Sequence, residues 1–303
     1  MNELTIVTAF FDINRANFSR LPRTVEEYID YFKFWAKIKN NLIIYTYHEM
    51  AIEVKKIRED LGLLDKTIII EINDIQKIEP EIFKKMESIS NNKAFTDIRL
   101  ISNAVSNQYK YDYVMVLKYW CLYDAVKNNY AKGMVAWMDF GFNHGDLCFT
   151  NSEEFSFVWK TKLNKEKIHL FSLKEIDVNI PIFLHVIKLD DSIMGCPVIL
   201  DSTKCELLWN LIKTQIESLI RVGFIDDDQL LLLMAYYESS DVFDIHISDW
   251  FMPLKENGGE HLTVKKKDKE VRKISFISRA KNKLKRIKKK YDYIKRFYYL
   301  IEK

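Results

Sequence analysis

Glycine and proline are scarce, eight and five among 303 residues, so a glycine-rich phosphate cradle has little to be built from. No P-loop, G-x-S-x-G elbow or H-E-x-x-H pattern occurs, which removes the usual NTPase, serine-hydrolase and zincin signatures. The triplet Asp139, Phe140, Gly141 resembles a kinase motif but has neither a glycine-rich loop nor a His-Arg-Asp loop to accompany it. Cys121, Cys148, Cys196 and Cys205 form no C-x-x-C pair. The first residues carry Glu3 and Asp12 without a basic segment or a long apolar core, so no export signal is expected there and the cysteines are expected as buried thiols. The longest strongly apolar run, residues 230–237, falls far short of the ~20 residues that cross a bilayer.

Material for a core is abundant: 48% of residues are hydrophobic and 14% aromatic, which excludes a disordered chain. The net charge of +3 conceals an asymmetry. Residues 264–303 hold 17 Lys or Arg against 4 Asp or Glu, whereas the remainder holds 29 against 39. Two bodies are therefore expected, a catalytic-sized domain over 1–257 and a basic tail over 258–303, with Gly258 and Gly259 as a hinge. In the tail, Ile274, Ile277, Leu284, Ile287, Tyr291, Ile294, Phe297, Tyr298 and Ile301 recur at nearly 3- and 4-residue steps among lysines, the pattern of a basic amphipathic helix.

Along the body, residues 5–11 read as a first strand. Thr24 with Glu27 forms a capping-box signature opening a helix over 24–39. A strand over 42–46, a helix over 48–61 ended by Gly62 and a strand over 67–72 follow. This alternation predicts an α/β fold with a mainly parallel sheet flanked by helices. A long helix over 108–130 delivers the chain to the run 134–139. The runs 155–159, 168–173, 183–189 and 193–200 are expected as short, mostly antiparallel strands. Helices are expected from about 201 to 222 and from 228 to 238.

The run 134–141 (MVAWMDFG) ends a buried-type strand in one carboxylate and a glycine. Ligands of open α/β sheets bind outside the carboxyl ends of such strands, so Asp139 is a candidate site residue as well as an ordinary turn former. Arg15, past the first strand, has a donor fork suited to phosphate oxygens and equally to a surface ion pair. Asp226, Asp227, Asp228 and Gln229 stand directly before an apolar run, which suits a helix cap and an acidic site element alike. Lys118 interrupts the apolar face of the long helix, either as a snorkelling lysine or as a phosphate ligand. Trp137 suits the core or a stacking surface, and Gly195 a bulge or a sugar contact.

These segments, 5–15 (TIVTAFFDINR), 134–141 and 225–237 (IDDDQLLLLMAYY), followed by Phe243 and Trp250, resemble the HtrL/YibB family of bacterial proteins, associated with surface-polysaccharide loci and similar to GT-A glycosyltransferases. The resemblance implies a GT-A-like, Rossmann-like mixed sheet and a hexosyltransferase. Such an enzyme would use a nucleotide sugar, UDP-linked, to extend a lipopolysaccharide or other lipid-linked glycan. It implies donor contacts from Thr8, Ala9, Phe10 and Arg15, with Trp137 and Lys118 beside them, and a general base or acceptor contact from Asp228, Asp227 or Gln229. It also implies a divalent metal, Mn or Mg, on Asp139, with His144 or His246 as further ligands. The family-type Asp-x-Asp pair is reduced here to Asp139. The tail would hold the enzyme peripherally on the anionic inner face of the cell membrane. The alternative is a nucleic-acid or protein interaction module working through the basic tail, disfavoured because the basic residues are confined to the tail and its aromatics follow helical apolar spacing.

Overall fold

Apolar runs alternating with amphipathic helices pair with their chain neighbours when each strand buries both faces, and the computed structural model of the chain follows this rule. It describes residues 1–19, 21–99, 108–145, 147–189, 192–266 and eight positions between 284 and 298. The strands are β1 (Asn2–Glu3), β2 (Thr5–Phe10), β3 (Leu42–Thr46), β4 (Thr67–Glu71), β5 (Met134–Trp137), β6 (Lys160–Thr161), β7 (Ile168–Ser172), β8 (Val198–Asp201) and β9 (Phe243–Ile247). The helices are α1 (Val25–Trp35), α2 (His48–Asp60), α3 (Pro80–Ser90), α4 (Lys93–Ile98), α5 (Tyr109–Lys127), α6 (Ile182–Lys188), α7 (Cys205–Arg221), α8 (Asp228–Glu238) and α9 (Met252–Glu256).

Seven strands form one mixed sheet in the order β4-β3-β2-β5-β8-β7-β9, and β1 pairs with β6 in a separate two-stranded ladder. β4, β3, β2 and β5 run parallel, β8 is antiparallel to β5 and β7, and β7 is parallel to β9. Alternation along β2 sends Ile6 and Phe10 to a core built with Phe32 and Trp35 of α1 and Met50 and Val54 of α2. Val7 goes to the opposite core, with α3, α5, α7 and α8. Both faces are thus covered. From β2 the chain steps outward through β3 and β4, then returns to place β5 on the other side of β2. That reversal opens a crevice at the carboxyl ends of β2 and β5.

The capping box of α1 is present in full: Glu27 N donates to Thr24 Oγ1 at 3.2 Å, and Thr24 N donates to Glu27 Oε2 at 2.7 Å. Elsewhere the structure departs from expectation. Of the expected strand 183–189, residues 183–188 fall in helix α6, burying Val186 and Ile187 while Phe183 is exposed, and Leu189 is its left-handed C-cap; a short apolar run has no decisive period. Residues 155–159 form no strand, although Phe155 and Trp159 are buried. Of 193–200, only the part within β8 extends as a strand, with Ile193 bridging Ser172.

Gly258 and Gly259 are packing points and not a hinge. A Cβ on Gly258, at φ 118°, would lie 2.0 Å from Lys160 O, and one on Gly259 would lie 2.9 Å from Leu254 O. Beyond the expected boundary at 257, Leu262 is buried in the core. Val264 bridges Phe149, and Lys265 N donates to Cys148 O at 2.7 Å, so the body continues through Lys265. Most of the expected tail helix lies outside the described residues. The eight tail positions within them, among them Leu284, Ile287, Tyr291, Ile294 and Tyr298, are helical and exposed. Among the described residues, no helix is long and apolar enough to cross a membrane.

One buried side chain joins the two ladders. Asn40 donates to Leu4 O at 2.7 Å and Trp159 O at 2.8 Å, and accepts from Trp159 N at 2.7 Å. Truncation leaves Leu4 O and Trp159 N without this partner, while Trp159 O keeps its bond from Leu4 N at 3.2 Å, so Asn40→Ala is expected to cost about 2–4 kcal/mol of unfolding free energy. Urea denaturation checks this, and a loss near zero would show the contacts to be dispensable.

Candidate active site

The crevice between β2 and β5 is a cavity of about 270 Å³. β2 and the loop after it supply Ala9, Phe10, Phe11, Asp12 and Arg15, and α5 supplies Tyr111, Val114, Met115 and Lys118. β5 and its exit supply Trp137, Asp139 and His144; Gly195, Cys196, Asp228, Gln229, Trp250 and Phe251 close the far side. The first strand's exit, the tip of β5 and the acidic start of α8 therefore face one space.

Lys118 organises it. Its Nζ lies 2.8 Å from Asp139 Oδ1 and 2.7 Å from Asp228 Oδ2, with Lys118 and Asp228 almost fully buried. Desolvation alone would lower the lysine's proton affinity. The two carboxylates outweigh it and hold Lys118 well above its ordinary range. Burial pushes Asp228 up, against the pull of Lys118. Asp139 Oδ1 also accepts from Trp137 Nε1 at 2.7 Å, and Asp139 N donates to Cys196 Sγ at 3.2 Å. The side chain of Asp139 remains 41% exposed, turned to the cavity. Gly195 is required by Asp228: a Cβ there would sit 2.0 Å from Asp228 Oδ2. This explains a glycine for which sugar contact or a bulge had been expected.

Two further cations line the cavity. Arg15 Nη1 donates to Tyr28 OH at 2.6 Å, and its guanidinium lies 5.3 Å from the Tyr111 ring centroid. Arg23 donates to His144 Nε2 at 3.0 Å, and its Nη2 lies 3.4 Å from Nδ1. Because a guanidinium only donates, His144 Nε2 must accept. Burial and the Arg23 charge depress His144 to about 4.

The expected residues divide accordingly. Ala9, Phe10, Arg15, Lys118, Trp137, Asp139, His144, Asp228 and Gln229 line the cavity. Thr8 is fully buried in β2 and outside the lining. Asp227 is the N-cap of α8, accepting from Gln229 N at 3.1 Å, so the cap reading applies to it. Gln229 Oε1 is buried with no hydrogen-bond partner among the described residues. The expected ligand set Asp139, His144 and His246 is not assembled. His144 has its Nε2 lone pair engaged by Arg23, and His246 lies outside the cavity beside His169 and Asp244. Asp146 lies outside the described residues, and His261 Nε2 donates to Glu154 O at 2.9 Å, away from the lining.

Arg23, Tyr28, Tyr111 and Cys196 had not been anticipated. Tyr111, Val114, Met115 and Lys118 follow the i, i+3, i+4, i+7 pattern of one helix face, and that pattern, containing a lysine, was the available signal. Tyr28 lies on the helix opened by Thr24 and Glu27, where aromatic residues at helical spacing suit a core equally well.

A family model described as HtrL_YibB, bacterial protein of unknown function, matches residues 2–255. Protein HtrL of Escherichia coli (strain K12) is 28% identical over 265 residues, 82% of this chain and 90% of that protein. Among solved structures, apo mouse xyloside xylosyltransferase 1 aligns over 81% of this chain and 85% of its own, with 12% identity and a TM-score of 0.40. A cytidylyltransferase from Leptospira borgpetersenii serovar Hardjo-bovis (strain JB197) aligns over 82% and 76%, with 9% identity and a TM-score of 0.35.

Two outcomes follow from the site's electrostatics. Lys118→Met strands Asp228 without its counter-ion and is expected to cost about 3–5 kcal/mol. Lys118→Met combined with Asp228→Asn should cost clearly less than the two single losses together; strict additivity in urea melts would deny the coupling. For His144, the unfolded chain takes up a proton near the ordinary 6.5 and the folded chain only near about 4. Its contribution to stability is thus present above pH 6.5 and lost as pH falls toward about 4. His144→Gln should flatten the decline of the thermal midpoint between about pH 7 and 4.5, and parallel curves for parent and variant would rule this out.

Proposed function

The chain belongs to the HtrL_YibB family of bacterial proteins, and from the chemistry of its cavity we propose that it is a hexosyltransferase, taking the sugar from a UDP-linked donor to a lipopolysaccharide or other lipid-linked surface glycan. One observation carries this reading. At the carboxyl ends of β2 and β5, a strand-end and a helix-start carboxylate are clamped by one buried lysine, beside an arginine and an aromatic wall.

Transfer from a nucleotide diphosphate builds negative charge on the departing group, and cations fixed beforehand stabilise it without reorganising. Arg15, held by Tyr28, and Lys118, held by its two carboxylates, are such cations. Tyr28, Trp250 and Phe251 offer rings for the base and sugar. Asp228 is the proposed general base: burial raises its proton affinity toward the range where it can take a hydroxyl proton. The unpartnered Gln229 Oε1 is the proposed contact for the same acceptor hydroxyl.

The half-exposed Asp139 carboxylate fits a hard divalent cation of the Mg²⁺ or Mn²⁺ type, which commonly takes one or two carboxylates with substrate phosphates and water. When bound, that ion would supply further charge stabilisation to the leaving diphosphate. The basic tail is the proposed attachment to an anionic membrane surface, each Lys or Arg near it contributing ~1 kcal/mol.

Calorimetry with a panel of nucleotide sugars, with and without Mn²⁺, is expected to show a UDP-sugar binding the parent. Arg15→Ala should weaken it about tenfold or more. Asp139→Ala should abolish the metal-dependent part, and Asp228→Asn should retain binding while lowering turnover by at least about 100-fold. A parent that binds no nucleotide sugar sinks the proposal. Truncation after Lys266 should abolish flotation with anionic liposomes and leave donor turnover intact. Unchanged flotation, or a salt-dependent nucleic-acid shift in its place, would reject the membrane role.

A further inference from the structure

The cluster His169, Asp244 and His246 lies apart from the cavity lining and brings three potential metal-ligating groups together. Asp244 and His246 are two residues apart on edge strand β9, so their side chains leave the same face. The parallel register pairs His169 of β7 with Asp244 and Phe171 with His246, which brings the second imidazole to that face. The potential ligand atoms converge: His169 Nδ1 lies 3.0 Å from His246 Nε2 and 3.6 Å from Asp244 Oδ2, and His246 Nε2 lies 3.6 Å from Asp244 Oδ2. Around a tetrahedral zinc with bonds of 2.0–2.1 Å, ligand atoms stand about 3.3 Å apart. The observed triangle straddles that value.

A second observation sets the tautomer. His169 is fully buried, and its Nε2 lies 2.9 Å from Asn164 O. A carbonyl oxygen only accepts, so Nε2 carries the hydrogen and the neutral ring has its lone pair on Nδ1, aimed at His246 and Asp244. A metal-ligating histidine is ordinarily fixed in this way, its other nitrogen donating to a carbonyl or carboxylate. Asp244 and His246 are each about a third to a half exposed, so an ion has access from solvent and an open position for water. Phe171 packs its ring 5.4 Å from that of His246 and backs the site.

We propose that His169, Asp244 and His246 bind one zinc-class divalent ion, His169 through Nδ1, His246 through Nε2 and Asp244 through a carboxylate oxygen. Two imidazoles with one carboxylate select zinc or its borderline neighbours over Mg²⁺ and Ca²⁺, which require mainly oxygen donors. The ion clips edge strand β9 to β7. β9 leads directly to Trp250 and Phe251 in the cavity wall, so the clip also fixes the strand that delivers them. This site stands independently of the transferase reading.

The full chain, stripped with a chelator and titrated with Zn²⁺ by calorimetry, is expected to take up one ion and gain about 5 °C in thermal midpoint at saturation. His246→Gln and Asp244→Asn should each weaken binding more than about tenfold, while Asp139→Asn should bind as the parent does. In the unmutated chain, zinc should protect His246 from diethylpyrocarbonate, read by peptide mass spectrometry, which requires no variant to fold. Absence of binding overturns the proposal. So does unaltered affinity in both β9 variants, loss of binding in Asp139→Asn alone, or carbethoxylation of His246 that zinc leaves unchanged.

Discussion

A buried lysine between two carboxylates constrains everything around the cavity. Charge taken out of water must be matched at close range or it is expelled, and Lys118 is matched from two remote parts of the chain, Asp139 after β5 and Asp228 at the start of α8. The pairing therefore holds helix α5, the middle of the sheet and helix α8 in one register. Asp228 can approach because residue 195 has no side chain to obstruct it. Asp139 is oriented because Trp137 donates to the oxygen that Lys118 also contacts.

Behind this clamp stands a second polar layer. Asp226 is paired with Arg99 at 3.2 Å, and Arg99 also donates to Ile225 O, which fixes the chain entering α8. Asp112, one turn and a half before Lys118 on α5, is fully buried, with neither oxygen hydrogen-bonded among the described residues. Burial, reinforced by Asp226 and Asp227, pushes its proton affinity well up. The nearby carboxylates are held differently: Asp226 is ion-paired to arginine, Asp228 to lysine, Asp227 caps a helix, and burial shifts Asp112 toward its neutral form.

Much of this was foreshadowed by residue type and period. Thr24 with Glu27 marked the start of α1, and the acidic residues before 230 marked the start of α8, because caps are local chemistry. The parallel half of the sheet followed from alternation of strand and helix. Residues 183–188 are helical where the sequence pattern predicts a strand, because a short apolar segment fits either period. At the cavity, Asp139, Arg15 and Lys118 stood out as charges at the ends or in the midst of apolar runs. Tyr28 and Tyr111 did not, since aromatic residues at helical spacing signal a core equally well. Lys118's double pairing, and the convergence of His169 on Asp244 and His246, depend on strand order and register, which no local pattern encodes.

The C-terminal part of the body ties the molecule's two polar centres together. β9 lies against β7 at the sheet edge, where Asp244 and His246 meet His169, and Ser248 N continues the ladder by donating to Ser172 O at 2.9 Å. Directly beyond, Phe251 takes a left-handed conformation at φ 67°, costly for an aromatic residue. It packs against the rings of Phe142 and His144 at 5.4 and 5.6 Å. The chain then closes through α9, whose neighbour Gly258 abuts β6, and Asn257 O accepts from Trp159 Nε1 at 2.8 Å. A backbone turn strained at Phe251 is sustained only if both flanks are anchored, and β9 on one side and the Gly258 contact on the other supply those anchors. The aromatic wall of the cavity thus depends on packing at the sheet edge and on the N-terminal ladder, although neither lines the cavity itself.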